Sequence, residues 1–133
     1  MPASPELIAH ARDLFADLGP IKVGGLFGGS ALYVEGDVMF ACIIGDIIYM
    51  KSDENTLGQF QEAGSAPFSY DKPTGTTVVT SLMSLPDSAM DDPDEARMWA
   101  QLSYAPALKA AEKKRIAKAR KAAKKAAKKD ETS

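Results

Sequence analysis

The apolar positions of this chain change their spacing along its length, and the changes divide it into helices and strands. Six apolar residues near the start recur at the spacing of one helix face: Leu7, Ile8, Ala11, Leu14, Phe15 and Leu18. Ser4 is suited to cap this first helix. Gly19-Pro20 ends it, because proline cannot continue a helix.

Short apolar runs separated by glycine turns follow, and this pattern indicates strands joined by hairpins. The first four runs cover residues 21–26, 31–35, 38–44 and 47–51. Gly36-Asp37 and Gly45-Asp46 are the predicted turns between the last three. A short helix is then expected to begin at Ser52-Asp53 and to end at Gly64.

Two more strands and a capped helix complete the pattern. The strands cover residues 68–70 and 76–85, and the second is rich in β-branched side chains. In the helix that follows, Asp92 is placed to accept from the amide of Glu95, whose side chain can reach back in a capping box. Pro106 lacks an N–H and predicts a kink or a restart of this helix.

The element order is therefore α, three or four β, α, two β, α. Consecutive short strands with hairpin turns predict an antiparallel sheet with helices on one face, which is a two-layer α+β fold. A chain of 133 residues is long enough to bury one core. We expect residues 1–108 to form that domain and residues 109–133 to form a Lys/Ala-rich tail, partly helical or disordered.

Charge separates the same two parts. Residues 1–108 hold 5 Lys and Arg against 15 Asp and Glu, a net charge of −10, while residues 109–133 hold 11 against 3, a net charge of +8. Only Ile116 in the tail is expected to be able to join a core. The candidate nucleic-acid-binding residues are the tail cations Lys113, Lys114, Arg115, Lys118, Arg120, Lys121, Lys124, Lys125, Lys128 and Lys129. Such a segment neutralises phosphates without reading sequence, and the alternative is a solvated helix that only aids solubility.

Catalytic and metal chemistry find little support in the sequence. The glycines of residues 24–29 precede no Gly-Lys-Ser/Thr sequence, so a structural turn is favoured over a phosphate loop. One cysteine, Cys42, and one histidine, His10, are too few for a zinc site, and Cys42 is expected to be a buried apolar residue. The acids around Asp92 are explained by helix capping. Aromatic residues on the strands are assigned to core packing in preference to base stacking, since few cations lie between them.

A series of aromatic and glycine positions carries a family resemblance. They are Phe27, Gly28, Gly29, Tyr33, Gly36, Phe40, Gly64, Pro67, Phe68 and Trp99. In this order and spacing, over about residues 5–108, the chain resembles the N-terminal domain of the TfoX/Sxy family, bacterial proteins best known as regulators of competence. The resemblance implies a secretion-chaperone-like α-β(3)-α-β(2)-α fold, a structural role for these motif residues and a non-enzymatic regulatory or protein-binding role. The long competence regulators add a second domain where this chain has its tail, so a stand-alone form is expected.

These observations lead to one functional expectation and two alternatives. The expected function is a cytoplasmic TfoX-like regulator that acts by protein–protein contact, in competence or transcription, with a tail that binds DNA or RNA non-specifically. The first alternative is a small enzyme that uses Cys42 or a carboxylate in a cleft, and the second is a structural binding module with an inert tail. No cofactor and no membrane attachment are expected, and the sequence leaves a homodimer open.

Overall fold

The computed structural model describes residues 5–26 and 29–131, without the side chains of Leu26 and residues 126–131. The helices are α1 (Pro5–Leu14), α2 (Leu57–Glu62) and α3 (Pro93–Glu131), with single 3-10 turns at Ala16–Leu18 and Asp87–Ala89. The strands are β1 (Lys22–Leu26), β2 (Gly29–Val34), β3 (Val38–Ile44), β4 (Ile47–Lys51), β5 (Pro67–Lys72) and β6 (Gly75–Ser84). This confirms the predicted order, with four strands in the first group. The proposed capping role of Ser4 lies outside the described residues.

The strands form one antiparallel sheet in the order β1-β2-β3-β4-β6-β5. The turn between β2 and β3 begins one residue earlier than predicted, because Glu35 and Gly36 have φ angles of 53° and 90°. Left-handed conformation at both central positions matches the right-handed twist of the flanking strands, and the second position is a glycine. The sequence pattern therefore places the hairpins correctly.

One face of the sheet carries the main core. Residues of α1, α2 and the first half of α3 pack there against inward-facing residues of β2, β3, β4 and β6. The Phe15 and Phe40 rings meet edge to face at 5.1 Å between centroids, and the Trp99 ring lies 4.7 Å from Phe60. Phe15 and Trp99 thus belong to one core.

The opposite face carries a second, smaller group of apolar side chains, called here the outer cluster. Its members are Cys42, Tyr49 and Leu82, which are buried, and Met39, Ile44, Phe68 and Val79, which are partly buried. Cys42 stands between Ala41 and Ile43, which both face the main core, so strand alternation turns its thiol to the other side. Both faces of the sheet are therefore apolar over its central strands.

A projecting hairpin continues this outer face. β4 pairs with β6 only from Leu82 to Ser84, whereas residues 75–79 of β6 pair with β5 alone. Residues 68–79 therefore form a two-stranded arm that extends beyond β4. Phe68 contacts Tyr49 edge to face at 5.4 Å, and this contact joins the arm to the outer cluster.

Helix α3 is continuous through Pro106, where a kink or restart was expected. Asp92 Oδ1 accepts hydrogen bonds from the amides of Asp94 and Glu95 at 3.1 and 3.3 Å, which confirms the predicted cap. The reciprocal half of the capping box is absent, because the buried Glu95 Oε2 has no hydrogen-bond partner among the described residues. The helix continues past residue 108 without interruption.

Burial along α3 corrects the expectation for Ile116. Its side chain is 53% exposed, whereas Ala111 is 5% exposed and joins the main core. Ala111 lines a small cavity of about 40 Å³ between α3 and the sheet, together with Tyr33 and Met39. Packing against the sheet therefore extends past residue 108, and it does so through alanine.

Candidate functional site

The strongest candidate site is the basic second half of α3. Every residue from Glu112 to Lys125 is exposed, so α3 has no buried contact with the main core after Ala111. Seven cations in this stretch make no ion pair with any described residue: Lys113, Lys114, Lys118, Arg120, Lys121, Lys124 and Lys125. The side chains of Lys128 and Lys129 lie outside the described residues. Alanine, the strongest helix former, separates the cations and favours the helical state that presents them.

Two side-chain contacts fix the direction in which this helix leaves the body. Arg115 donates from Nε and Nη2 to the two carboxylate oxygens of Asp37, at 2.8 and 2.7 Å. About three turns earlier on α3, the Tyr104 hydroxyl donates to Glu35 Oε2 at 2.6 Å. Both carboxylates belong to the β2–β3 turn. We call these four residues the turn clamp.

The clamp also sets the ionisation of its members. Hydrogen bonds from Arg115 lower the pKa of Asp37, and the same bonds raise the pKa of Arg115. The hydrogen bond to Glu35 raises the pKa of Tyr104. At neutral pH, Asp37 is therefore ionised and Arg115 charged, so this one tail cation is neutralised by the body. Sequence reasoning missed the clamp because a turn carboxylate and a helix cation 78 positions apart carry no local signal.

The cations beyond the clamp are arranged by the helix period. Lys114, Lys118, Lys121 and Lys125 recur at i+4, i+3 and i+4 and therefore share one face. The opposite face is poor in cations. It carries Ile116, Ala119 and Ala123, which follow one another at i+3 and i+4. A flexible lysine side chain can reach phosphate oxygens as a point charge, without the planar geometry that base recognition by arginine uses. The arrangement suits a regularly spaced polyanion.

A groove lies at the base of the basic helix, between α3 and the end of β4. Its volume is about 510 Å³, and the walls include Lys51, Asp53 and Glu54 on one side with Lys109 and Lys113 on the other. Burial lowers the pKa of Lys51. Cations and carboxylates are balanced in this lining, so the groove has no net preference for an anion.

The positions of Cys42 and His10 argue against an enzyme that uses Cys42 as its nucleophile. The Cys42 side chain is 0% exposed and belongs to the outer cluster, and burial raises the pKa of its thiol to about 11. His10 lies on α1, and its Nε2 is 2.6 Å from the carbonyl oxygen of Met90. The two side chains therefore do not form a nucleophile–base pair. A protonated, enclosed thiol has neither the thiolate nor the access that catalysis requires.

Metal binding has no assembled site among the side chains of residues 5–25 and 29–125. No group of three or more His, Cys, Asp or Glu side chains in that part of the chain could hold a metal ion. Asp92 is occupied in capping α3, and Asp53 Oδ1 accepts from the amides of Asn55 and Thr56 ahead of α2. Acids that stood out in the sequence are therefore used for local structure.

The motif positions have structural surroundings wherever the structure describes them. A Cβ on Gly29 would lie 2.2 Å from the carbonyl oxygen of Ile43, so the glycine permits a close approach of β2 and β3. Gly36 and Gly64 have φ angles of 90° and 85° in tight turns. Phe40 and Trp99 are core residues, and the half-buried Tyr33 ring lies over Gly24.

Two motif positions differ from this core role, and two fall outside the described residues. Pro67 and Phe68 are partly buried on the edge strand β5, where Phe68 begins the arm. Phe27 and Gly28 lie outside the described residues, so the proposed turn there stays a prediction. Gly29, predicted as a turn residue, is instead the first residue of β2.

Comparison with known proteins agrees with this architecture. A search of curated proteins found no match. None of the described helices is long and apolar enough to span a bilayer. The family model for the TfoX N-terminal domain matches residues 13–107, which run from the last two residues of α1 through the whole sheet to the first half of α3. The chain therefore belongs to the TfoX N-terminal domain family.

Proposed function

We propose that this protein is a cytoplasmic regulator of the TfoX type, in competence or transcription, that acts by protein–protein contact and binds nucleic acid through its basic helix. Family membership supports the regulatory role. The single observation that carries the nucleic-acid role is the exposed run of seven unpaired cations on a helix held away from the acidic body. Such a segment gains affinity by releasing the counterions condensed on a polyanion.

The geometry favours an external polyanion over the protein's own carboxylates. Two outcomes compete for the tail, which are folding back on a body of net charge −10 and remaining available to a partner. In the described residues only Arg115 forms an ion pair with the body. Exposed ion pairs contribute only about 0–1 kcal/mol each and are screened over about 8 Å at physiological salt. Duplex DNA presents one charge per about 1.7 Å, so it outcompetes the scattered surface carboxylates.

The binding should be weak and independent of base sequence. Lysine side chains on an exposed helix contact phosphate oxygens, which position a protein on nucleic acid without specifying a site. We expect a dissociation constant in the micromolar range or weaker at low salt, rising steeply with salt concentration. RNA of the same length should bind by the same phosphate contacts.

Fluorescence anisotropy with a labelled duplex of about 20 base pairs tests the proposal, since that length exceeds the roughly 30 Å that the basic helix spans. The test variant replaces Lys118, Lys121, Lys124 and Lys125 by glutamine, and the matched control replaces the same four by arginine. The glutamine variant should bind more weakly, and the slope of its log–log salt dependence should fall by about 0.9 per phosphate contact removed. The arginine variant should bind like the wild type.

The controls separate the basic helix from the body. Truncation should be made after Ile116 and not after Leu108, because Ala111 is buried and Arg115 is paired with Asp37. A wild-type protein that does not bind DNA at about 50 mM salt would refute the nucleic-acid role and leave the tail as an inert solubilising helix. Equal binding by the glutamine variant would refute the basic helix as the binding site.

A further inference from the structure

The β5 edge of the arm is a second surface without a role in the proposed function. β5 is the last strand of the sheet, and its only strand partner among the described residues is β6. Pro67 has no N–H and the strand register shifts next to it, so the edge with unpaired backbone N–H and C=O groups runs from Phe68 to Lys72. Such edges are templates for pairing with another strand unless charges, bulges or covering elements protect them.

Side chains along this edge alternate between an apolar and a polar face. Phe68 and Tyr70 stack at 5.9 Å on the same face as the outer cluster, while Ser69 and Asp71 point to the other face. An open concavity of about 450 Å³ lies on the apolar face, lined by Phe68, Tyr70, Val79 and Leu82. Tyr70 remains 40% exposed there. The edge thus combines free backbone groups with an incompletely filled aromatic surface.

We propose that β5 pairs antiparallel with β5 of a second copy of this chain, in the register that places Ser69 opposite its own copy. In that register Phe68 of each copy lies directly opposite Tyr70 of the other, so two equivalent Phe68–Tyr70 pairs form on the apolar face. Directly opposite aromatic residues stabilise an antiparallel pair. Within each copy, Lys72 Nζ lies 5.3 Å from the centroid of the Tyr70 ring.

Charge supports a second copy as the occupant of this edge. The body carries a net charge of −10, which repels another copy over most of its surface. Residues 68–79 hold one acid, Asp71, and one base, Lys72, so the arm is locally neutral. With Ser69 opposite its own copy, the Asp71 side chain of one copy lies four residues along the strand from Asp71 of the other. If the two-fold axis were instead two residues nearer the turn, the two Asp71 side chains would lie directly opposite each other. A two-fold axis through Ser69 is thus the arrangement in which both aromatics pair and no like charges meet.

Two-fold pairing would occupy the β5 edge of both copies, because an isologous contact uses the same surface of each. The other edge of the arm, residues 75–79 of β6, has no strand partner on its outer side among the described residues and takes no part in this pairing. The basic helices leave from the clamp at the β2–β3 turn, far along the sheet order from β5. Dimerisation through the arm therefore does not depend on the tail or on nucleic acid.

Sedimentation velocity of the full chain at increasing concentration tests the pairing. The wild type should form a dimer, and Tyr70→Lys should weaken it at least roughly tenfold, because a charge then faces Phe68 of the other copy. Val78→Lys is the matched control, since Val78 is 56% exposed on the opposite face of the same arm. The glutamine variant of the basic helix should dimerise like the wild type. Circular dichroism checks that each variant is folded.

A cross-link tests the register independently of any loss of function. Residues directly opposite in an antiparallel pair have Cα atoms about 4.5–5.5 Å apart, which is within disulfide range. Ser69→Cys should therefore form a covalent dimer under mild oxidation, while Val78→Cys should not. A monomeric wild type at concentrations up to about 1 mM, equal weakening by Tyr70→Lys and Val78→Lys, or no Ser69→Cys cross-link would each overturn the proposal.

Discussion

Two neighbouring residues of α3, Trp99 and Met98, differ in how far their side chains are buried in the main core. Trp99 is 6% exposed and its ring lies 4.7 Å from that of Phe60, while the adjacent Met98 is 47% exposed. Trp99→Ala should lower the free energy of unfolding by about 3–5 kcal/mol, because it removes a large buried ring and leaves a cavity. Met98→Ala should change it by less than about 0.5 kcal/mol. Urea unfolding followed by circular dichroism measures both, and a loss below about 1 kcal/mol for Trp99→Ala would contradict this packing.

The close approach of the β2 and β3 backbones at Gly29 leads to a second prediction for a single residue. Gly29→Ala places a Cβ 2.2 Å from the Ile43 carbonyl oxygen, so β2 and β3 must move apart. We expect a loss of about 1–3 kcal/mol in the free energy of unfolding. Gly25→Ala is the matched control, because a Cβ there meets no atom within 4 Å. Equal stability of the two variants in urea would show that Gly29 is not required for strand packing.

At the scale of secondary-structure elements, the turn clamp ties the longest helix to a hairpin turn. Asp37→Asn removes the charge that binds Arg115, and residues 109–116 should then exchange their amide hydrogens faster. Asp46→Asn, in the neighbouring β3–β4 turn, is the control because Asp46 has no ion pair among the described residues. Hydrogen-exchange mass spectrometry measures the difference. Unchanged exchange in the Asp37→Asn variant would mean that Ala111 alone holds this part of α3.

The clamp should also respond to pH with a defined sign. Because Arg115 lowers the pKa of Asp37 below its ordinary value of 3.8, the ion pair is fully present above that value. Its contribution is lost as the pH falls through the lowered pKa, when the carboxylate becomes protonated. The amides of residues 109–116 should therefore keep the same protection, relative to their intrinsic exchange rates, from neutral pH down to about 5, because Asp37 stays ionised over this range.

At the scale of the whole molecule, the fold and the basic tail are expected to separate after residue 116. Residues 117–125 are all exposed, so truncation after Ile116 should leave the free energy of unfolding within about 0.5 kcal/mol of the full chain. Truncation after Leu108 removes the buried Ala111 and should cost about 1 kcal/mol or more. Urea unfolding of both truncated chains distinguishes the boundaries. Equal stability would place the boundary at residue 108, as the change of composition predicts.

Much of the architecture follows from local pattern. Periodicity and glycine turns determined the order of helices and strands, and the predicted bounds of β3 and β4 are those observed. Local pattern is sufficient here because turn geometry and alternation act over a few residues. The resemblance identified the family for the same reason, since most of its described motif positions are turns, close approaches of the backbone and core aromatics. The cationic tail was also evident from composition alone.

The tertiary structure alone decided which distant residues meet. The Arg115 and Asp37 pair joins positions 78 apart. Ala111, not Ile116, proved to be the buried tail residue, because the face of α3 that carries Ala111 packs on the main core and the face that carries Ile116 does not. The sequence also gave no sign that β5 lies at a sheet edge, since strand order depends on which strands pair across the chain. By itself the sequence determined the elements, the family and the separation of charge. Side-chain distances, set only by packing, determined which tail cation is neutralised and which surfaces remain available for binding.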